Sequence, residues 1–361
     1  MNNQTQAGLL RAKYDRTLLK KELVLAGCMA AVLVLAVLSI CVGAADLSPA
    51  DVWHAFFAGA GLRARPGYQA THDIVWLLRL PRVVMAVLAG SGLALCGTVM
   101  QGITHNPLVS PYTVGISNAA AFGVGAMVLF ADRLGLSGGM SAAALQMLGA
   151  FAMALLCALL VYGVSAAKKM NVTTLVLMGT ALSYLFSALT NTMQYLANEQ
   201  ELNTIVRWTF GSLQKATWAE NGVLALVLAA CFVTAMLNAR SLNAMAGGSE
   251  DVPRALGVNV ARVRLVIGLV SVLLTALIVS FVGVIGFIGI VAPHVARMVI
   301  GSDNRLLIPF SCICGGMLLV VSDTAGRTLF SPVTIPVGIV VAYVGVPIFV
   351  HLIVRGKEGG F

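Results

Sequence analysis

Seven polar side chains recur at intervals of three and four along one apolar stretch: Thr180, Ser183, Tyr184, Ser187, Thr190, Asn191 and Gln194. On a helix they share one face. Polar groups in hydrocarbon are costly unless they meet a partner or water, so this face is either a seam between helices or the wall of a wet pathway. It carries no charge, which suits a bulky solute that must slide better than it suits a bare ion. Arg79 and Arg82 flank Pro81, with Arg327 four residues after Asp323. Such arginines can anchor a span by snorkelling, or receive acidic side chains of an external protein as bidentate partners. The Asp323–Arg327 spacing equally fits an intrahelical pair. Asn106 and Leu108, with Asn171 and Thr173, stand where two apolar stretches end. They could narrow a pathway there, or serve only as caps and turns.

A fourth group lies in the one extended polar interruption of the second half, residues 240–264. Ser249 can cap a helix whose first turn holds Glu250 and Asp251. Arg254 lies toward its other end, and Gly257 stops it. Val252, Ala255 and Leu256 form a small apolar face on this seven-residue piece, which is too short to stand alone and must pack on something.

Several chemistries are absent. No GxxxxGK[ST] is present, so the chain holds no P-loop for ATP. The five histidines are scattered, without HExxH, and no carboxylate lies deep in an apolar run, where a proton-coupled carrier usually keeps one. The seven cysteines form no CxxC pair and sit mostly in apolar runs, as small hydrophobes do. His294 beside Arg297 reads as structural.

The elements that must position these residues are membrane spans. Of 361 residues, 59% are hydrophobic and only 10% charged, against about 25% in soluble domains. Ten spans can be drawn, near 23–45, 82–103, 112–131, 140–165, 172–196, 217–238, 262–281, 283–300, 306–323 and 334–354. The uncharged run 265–296 is too long for one span, and Gly283, Gly286, Gly289 and Pro293 suggest a turn followed by a short, broken helix. With the N-terminus inside, fifteen Lys/Arg face the cytoplasm and eight the outside, which places the whole formal excess of +9 inside. The expected organisation is a cytoplasmic tail (1–22), one all-α permease domain (23–355) and a second cytoplasmic tail (356–361). The first run exceeds a signal-peptide core, so it is expected to stay as a span. Gly90, Gly92, Gly97, Gly102, Gly123 and Gly125 mark close helix contacts in the first half, and Gly283, Gly286 and Gly289 in the second.

Five stretches together resemble the FecCD-like permeases of type II ABC importers, which carry ferric siderophores, haem or cobalamin. They are LLRLPRVVMAVLAGSGLALCGTVMQGITHNPLVSPYTVGIS (77–117), RWTFGSL (207–213), the 249–257 helix, GVIGFIGIVAPHVARM (283–298) and IPVGIVVAYVGVPIF (335–349). The resemblance implies a multi-pass protein of the bacterial inner membrane with both termini cytoplasmic. It pairs with a second permease subunit (a homodimer is expected), two cytoplasmic ATPases and a periplasmic or lipid-anchored binding protein. No cofactor belongs to the chain itself; ATP and Mg are bound by the ATPases. Glu250–Gly257 becomes the coupling helix seated on an ATPase, and Arg79, Arg82 and Arg327 become the docking points for glutamates of the binding protein. The polar face becomes the translocation path, and Asn106, Leu108, Asn171 and Thr173 lie near its cytoplasmic gates. A ferric siderophore is the preferred cargo, with haem or cobalamin as alternatives. A stand-alone secondary transporter is the alternative of another class.

Overall fold

The computed structural model describes residues 3–43, 47–59, 69–168, 170–246 and 251–355. Among them the chain is helical without strands. The helices are α1 (Asn3–Cys41), α2 (Pro49–Gly59), α3 (Gln69–Asp73), α4 (Leu80–Thr104), α5 (Ile116–Phe130), α6 (Ala142–Ala167), α7 (Val172–Leu196), α8 (Glu199–Thr209) and α9 (Trp218–Leu237). They continue as α10 (Ala239–Met245), α11 (Asp251–Ala255), α12 (Val260–Val282), α13 (Ile288–Ile300), α14 (Asn304–Thr328) and α15 (Val337–Arg355). Seven helices are long and apolar enough to cross a bilayer, and α5, α13 and α15 supply three shorter apolar ones, which together match the ten expected spans. The basic tail is not separate from the first span, because α1 runs through both.

α4 is the central post. It packs against α14, α12, α13 and α9, and most of its side chains are buried. A π-helical turn, Ile74–Arg79, joins α3 to α4, so that one continuous helix spans Ala70–Thr104. The wide turn lies just before Pro81, whose ring and missing N–H disfavour a regular α turn there. It also carries an aromatic cluster. The Trp76 indole donates to the Ala55 carbonyl at 3.0 Å, and the Trp218 indole donates to the Trp76 carbonyl at 2.8 Å. Phe56 stacks on Trp76, and Trp53 and Phe57 continue the cluster, as expected of an aromatic belt at a membrane–water interface.

Backbone contacts explain the glycines. Gly90 faces Gly315, Gly97 faces Gly289, and Gly123 faces Gly149, and at each a Cβ would overlap the opposing carbonyl. Gly286 differs from expectation: nothing lies within 4 Å of it. The break between α12 and α13 is made instead by Gly283 and by Phe287, which takes a positive φ of 65° without being glycine. The broken backbone is satisfied by neighbours. Ser212 N–H donates to the Val282 carbonyl at 2.7 Å, and Gln101 Nε2 donates to the Gly289 carbonyl at 3.2 Å. Gly97→Val would drive α4 away from α13, costing at least the ~1–3 kcal/mol typical of overpacking. The expected result is loss of the monodisperse peak in fluorescence-detected size exclusion, with Gly102→Val, where the nearest side chain lies at 3.4 Å, far milder.

Candidate functional site

The end of the bundle remote from α11 gathers the arginines. α1 stops at Cys41, and the carbonyls of its last turn have no partner within the helix. Arg79 Nη1 donates to the Ile40 and Cys41 carbonyls at 2.7 and 3.2 Å. Arg327 donates to the Ser39 carbonyl at 3.1 Å through Nη2 and to the Val42 carbonyl at 2.9 Å through Nη1. Two guanidiniums therefore close a helix C-terminus, where the macrodipole favours positive charge. Arg79 and Arg327, two of the three expected docking cations, are buried here with their guanidiniums on the end of α1. Arg327 also pairs with Asp323 at 3.1 Å, the intrahelical alternative, and Arg82 grips the same carboxylate from α4 at 2.8 and 3.0 Å. Two arginines thus share one buried acid.

Arg82 shows its other face to a cavity of about 760 Å³. The end of α8 and the residues after it supply Arg207, Trp208 and Lys215, while α12 and the turn into α15 close the far side. α12 links this cavity to the opposite end: its 23 residues rise about 34 Å, a bilayer's thickness, from the α11 side to the cavity.

α7 stands at the edge of the bundle, against α5 and α6. Its polar residues do not form one line. Thr190 is buried and donates to the Phe186 carbonyl, and Ser183, half-buried, donates to Gly179; Asn118 of α5 reaches the Ser183 carbonyl at 3.1 Å. Thr180, Tyr184 and Asn191 face outward, Tyr184 at 75% exposure, with Tyr195 beside them at 89%. Ser187 and Gln194 lie between the two sets. The threonine and serine hydroxyls mostly bond the carbonyl four residues back, which leaves the phenol and the amides as the groups that need an outside partner. By contrast, α9 exposes Val223, Leu226, Val233 and Leu237, a lipid-compatible face.

At the other end, α11 ends in a complete Schellman motif. Val258 N–H donates to the Pro253 carbonyl at 2.9 Å and Gly257 N–H to Arg254 at 3.0 Å, with Gly257 at φ +78°. Pro253 alone of this piece is buried; Asp251, Val252, Arg254, Ala255, Leu256 and Gly257 are exposed. Ser249 and Glu250, expected at its start, lie outside the described residues.

α10 falls mostly in the polar stretch 240–264, where the residues signal no helix before Ser249. Its Leu242 and Met245 are buried, and Asn243 accepts from the Asn304 N–H and donates to Asp303 at 2.7 Å. Arg305 donates to Asp303 as well and holds its carboxyl well below the usual range. α11 is thereby joined through α10 to the start of α14. The only advance signal was three polar residues in succession, Asp303 to Arg305, at a helix start.

Asn106 accepts from the Leu108 N–H at 2.9 Å in a turn, and Asn171 caps α7 by accepting from Thr173 N–H at 2.8 Å. Leu108 and Thr173 are exposed at that same end. These bonds explain the local turns; among the described residues no hydrogen bond joins the two pairs.

Known proteins share this arrangement. Residues 31–355 match the FecCD transport family. The hemin transport system permease protein of Yersinia pestis is 37% identical over 293 residues, covering 80% of this chain and 86% of that one. The iron(3+)-hydroxamate import system permease protein of Bacillus subtilis is 35% identical over 329 residues, covering 90% and 81%. A solved structure described as an inward-facing conformation of a metal-chelate type ABC transporter superposes with a TM-score of 0.79 at 29% identity, over 92% of this chain and 99% of that one.

Proposed function

The chain belongs to the FecCD transport family, a family of multi-pass permeases of metal-chelate ABC importers, and from that premise we propose how its own residues work. Two copies pair across α7 and enclose a path for an iron chelate, with a ferric siderophore preferred over haem or cobalamin. Separate ATPases bind ATP and Mg, close on one another and carry α11 with them. α10 passes that movement to α14, and the two permease copies rock so that one end of the path opens as the other shuts.

The observation that carries this reading is the outward polar face of α7. Lipid would leave Tyr184, Asn191 and Gln194 unsatisfied, whereas a second copy and a wet path between them would not. Asn106, Leu108, Asn171 and Thr173 stand at the end of that path nearest α11, as gate residues would. Of the three arginines expected to meet a binding protein, Arg82 lines the outer cavity, while Arg79 and Arg327 hold α1.

Reconstitution tests the reading. Vesicles holding the permease, its ATPases and its binding protein should accumulate labelled ferric siderophore in an ATP-dependent, vanadate-sensitive manner, more than haem or cobalamin. Accumulation by the permease alone would establish a secondary carrier instead.

A further inference from the structure

The cavity at the outer end has a sign. Arg82, Arg207 and Lys215 line it, and among the described residues no carboxylate does. Asp323 lies behind Arg82, but it is shared with Arg327, so that trio keeps one positive charge in excess. Arg207 and Lys215 are exposed, and neither forms an ion pair among the described residues. By contrast, the exposed Arg305 pairs with Asp303 at 2.6 Å. Two open cations on one rim, with a third cation, the Arg82 guanidinium, below, therefore set a positive potential in a concave, partly apolar space where field lines concentrate.

Position and size add to this. The charges lie on the side opposite to the cytoplasmic excess, so they are not topology signals. A volume of about 760 Å³ is that of a small-molecule site, with Trp208, Phe210 and Phe281 offering flat apolar walls between the cations. Gln146, Thr204, Ser212, Gln214 and Thr334 add neutral polar atoms around it.

We propose that this cavity is the outer receiving site for the cargo and that it selects metal chelates of net negative charge, held by Arg207 and Lys215 over the Arg82 guanidinium. The proposal rests on the importer reading above and narrows its substrate class. Flat anionic chelating groups would lie against the aromatic walls with their oxygens toward the cations.

The test uses the assembled permease–ATPase complex in lipid nanodiscs without binding protein. Its probes are two labelled iron chelates, an anionic ferric tris-catecholate and an uncharged ferric tris-hydroxamate. Wild type should bind the anionic probe more tightly and lose it with rising salt. Arg207→Gln with Lys215→Gln should weaken that probe by about tenfold or more and leave the uncharged one unchanged, whereas Arg207→Lys with Lys215→Arg should keep most of the affinity. A monodisperse complex with unaltered ATP hydrolysis shows that each variant is folded. Equal binding of the anionic probe by wild type and the glutamine variant overturns the proposal, and so does equal preference for the two chelates. Should the glutamine variant weaken only docking of the binding protein, the cations belong to a protein interface and the proposal is likewise overturned. Failure of the complex to assemble with any ATPase would instead strike the importer reading, so the two failures are distinct.

Discussion

Leu256→Asp is expected to leave the permease folded and to reduce ATP-driven uptake by about a hundredfold. Leu256 is 69% exposed and Val252 is 55% exposed, so neither side chain holds the chain's own fold together. A surface change of this kind usually moves stability by no more than ~0.5 kcal/mol. Under the importer reading the same two side chains are the apolar face of a peg seated in an ATPase cleft. A carboxylate forced into such a cleft without a partner costs at least ~3 kcal/mol, and each ~1.4 kcal/mol is a factor of ten. The cap survives the change, because the Schellman bonds use only the backbone of Pro253, Arg254, Gly257 and Val258. The measurement is uptake into vesicles alongside ATP hydrolysis and ATPase co-purification. Hydrolysis should continue in isolation but lose its stimulation by cargo and binding protein. Full uptake by the variant would remove α11 from the mechanism.

What could be read in advance follows from where each signal resides. The spans were legible because a bilayer imposes length and polarity on consecutive residues; even the break before α13 was announced by Gly283, whereas Pro293 lies within α13. The short helix α11 was legible because its stop is local: the Gly257 N–H meets the Arg254 carbonyl three residues back, and the Val258 N–H meets Pro253. The arginines were half legible. Sequence marked them as out of place on the outer side and offered the Asp323 pair of Arg327, but the main-chain carbonyls of Ser39 to Val42 that also accept from Arg79 and Arg327 have no side-chain signature. The stripe on α7 was correct in period yet too coarse, since α5 covers Ser183 and Thr190 and leaves Thr180, Tyr184 and Asn191 open. α10 went unseen because its anchor, Asn243, meets Asp303 and Asn304 some sixty positions later.

The largest stability effect is expected at Asp323. It is 2% exposed and accepts from two guanidiniums, Arg82 on α4 and Arg327 on α14. Removing a buried acid that serves two cations leaves both unpaired, so Asp323→Ala should cost about 3–5 kcal/mol. Arg82→Leu should cost much less, because Asp323 keeps Arg327 and Arg327 keeps the carbonyls of Ser39 and Val42. The combination Asp323→Leu with Arg82→Leu should then recover part of the loss, since only one cation remains and its remaining donors still cap α1. Thermal unfolding in detergent, followed by intrinsic fluorescence, would order the three variants: Asp323→Ala lowest, the double variant between, Arg82→Leu nearest wild type. The physical content of that order is that the acid neutralises a pair, whereas Arg327 answers to the carbonyls of Ser39 and Val42 as well as to the acid. If Arg82→Leu proved as damaging as Asp323→Ala, the shared-carboxylate account would fail, because stability would then rest on the single Arg82–Asp323 link between α4 and α14 rather than on an acid that neutralises two cations.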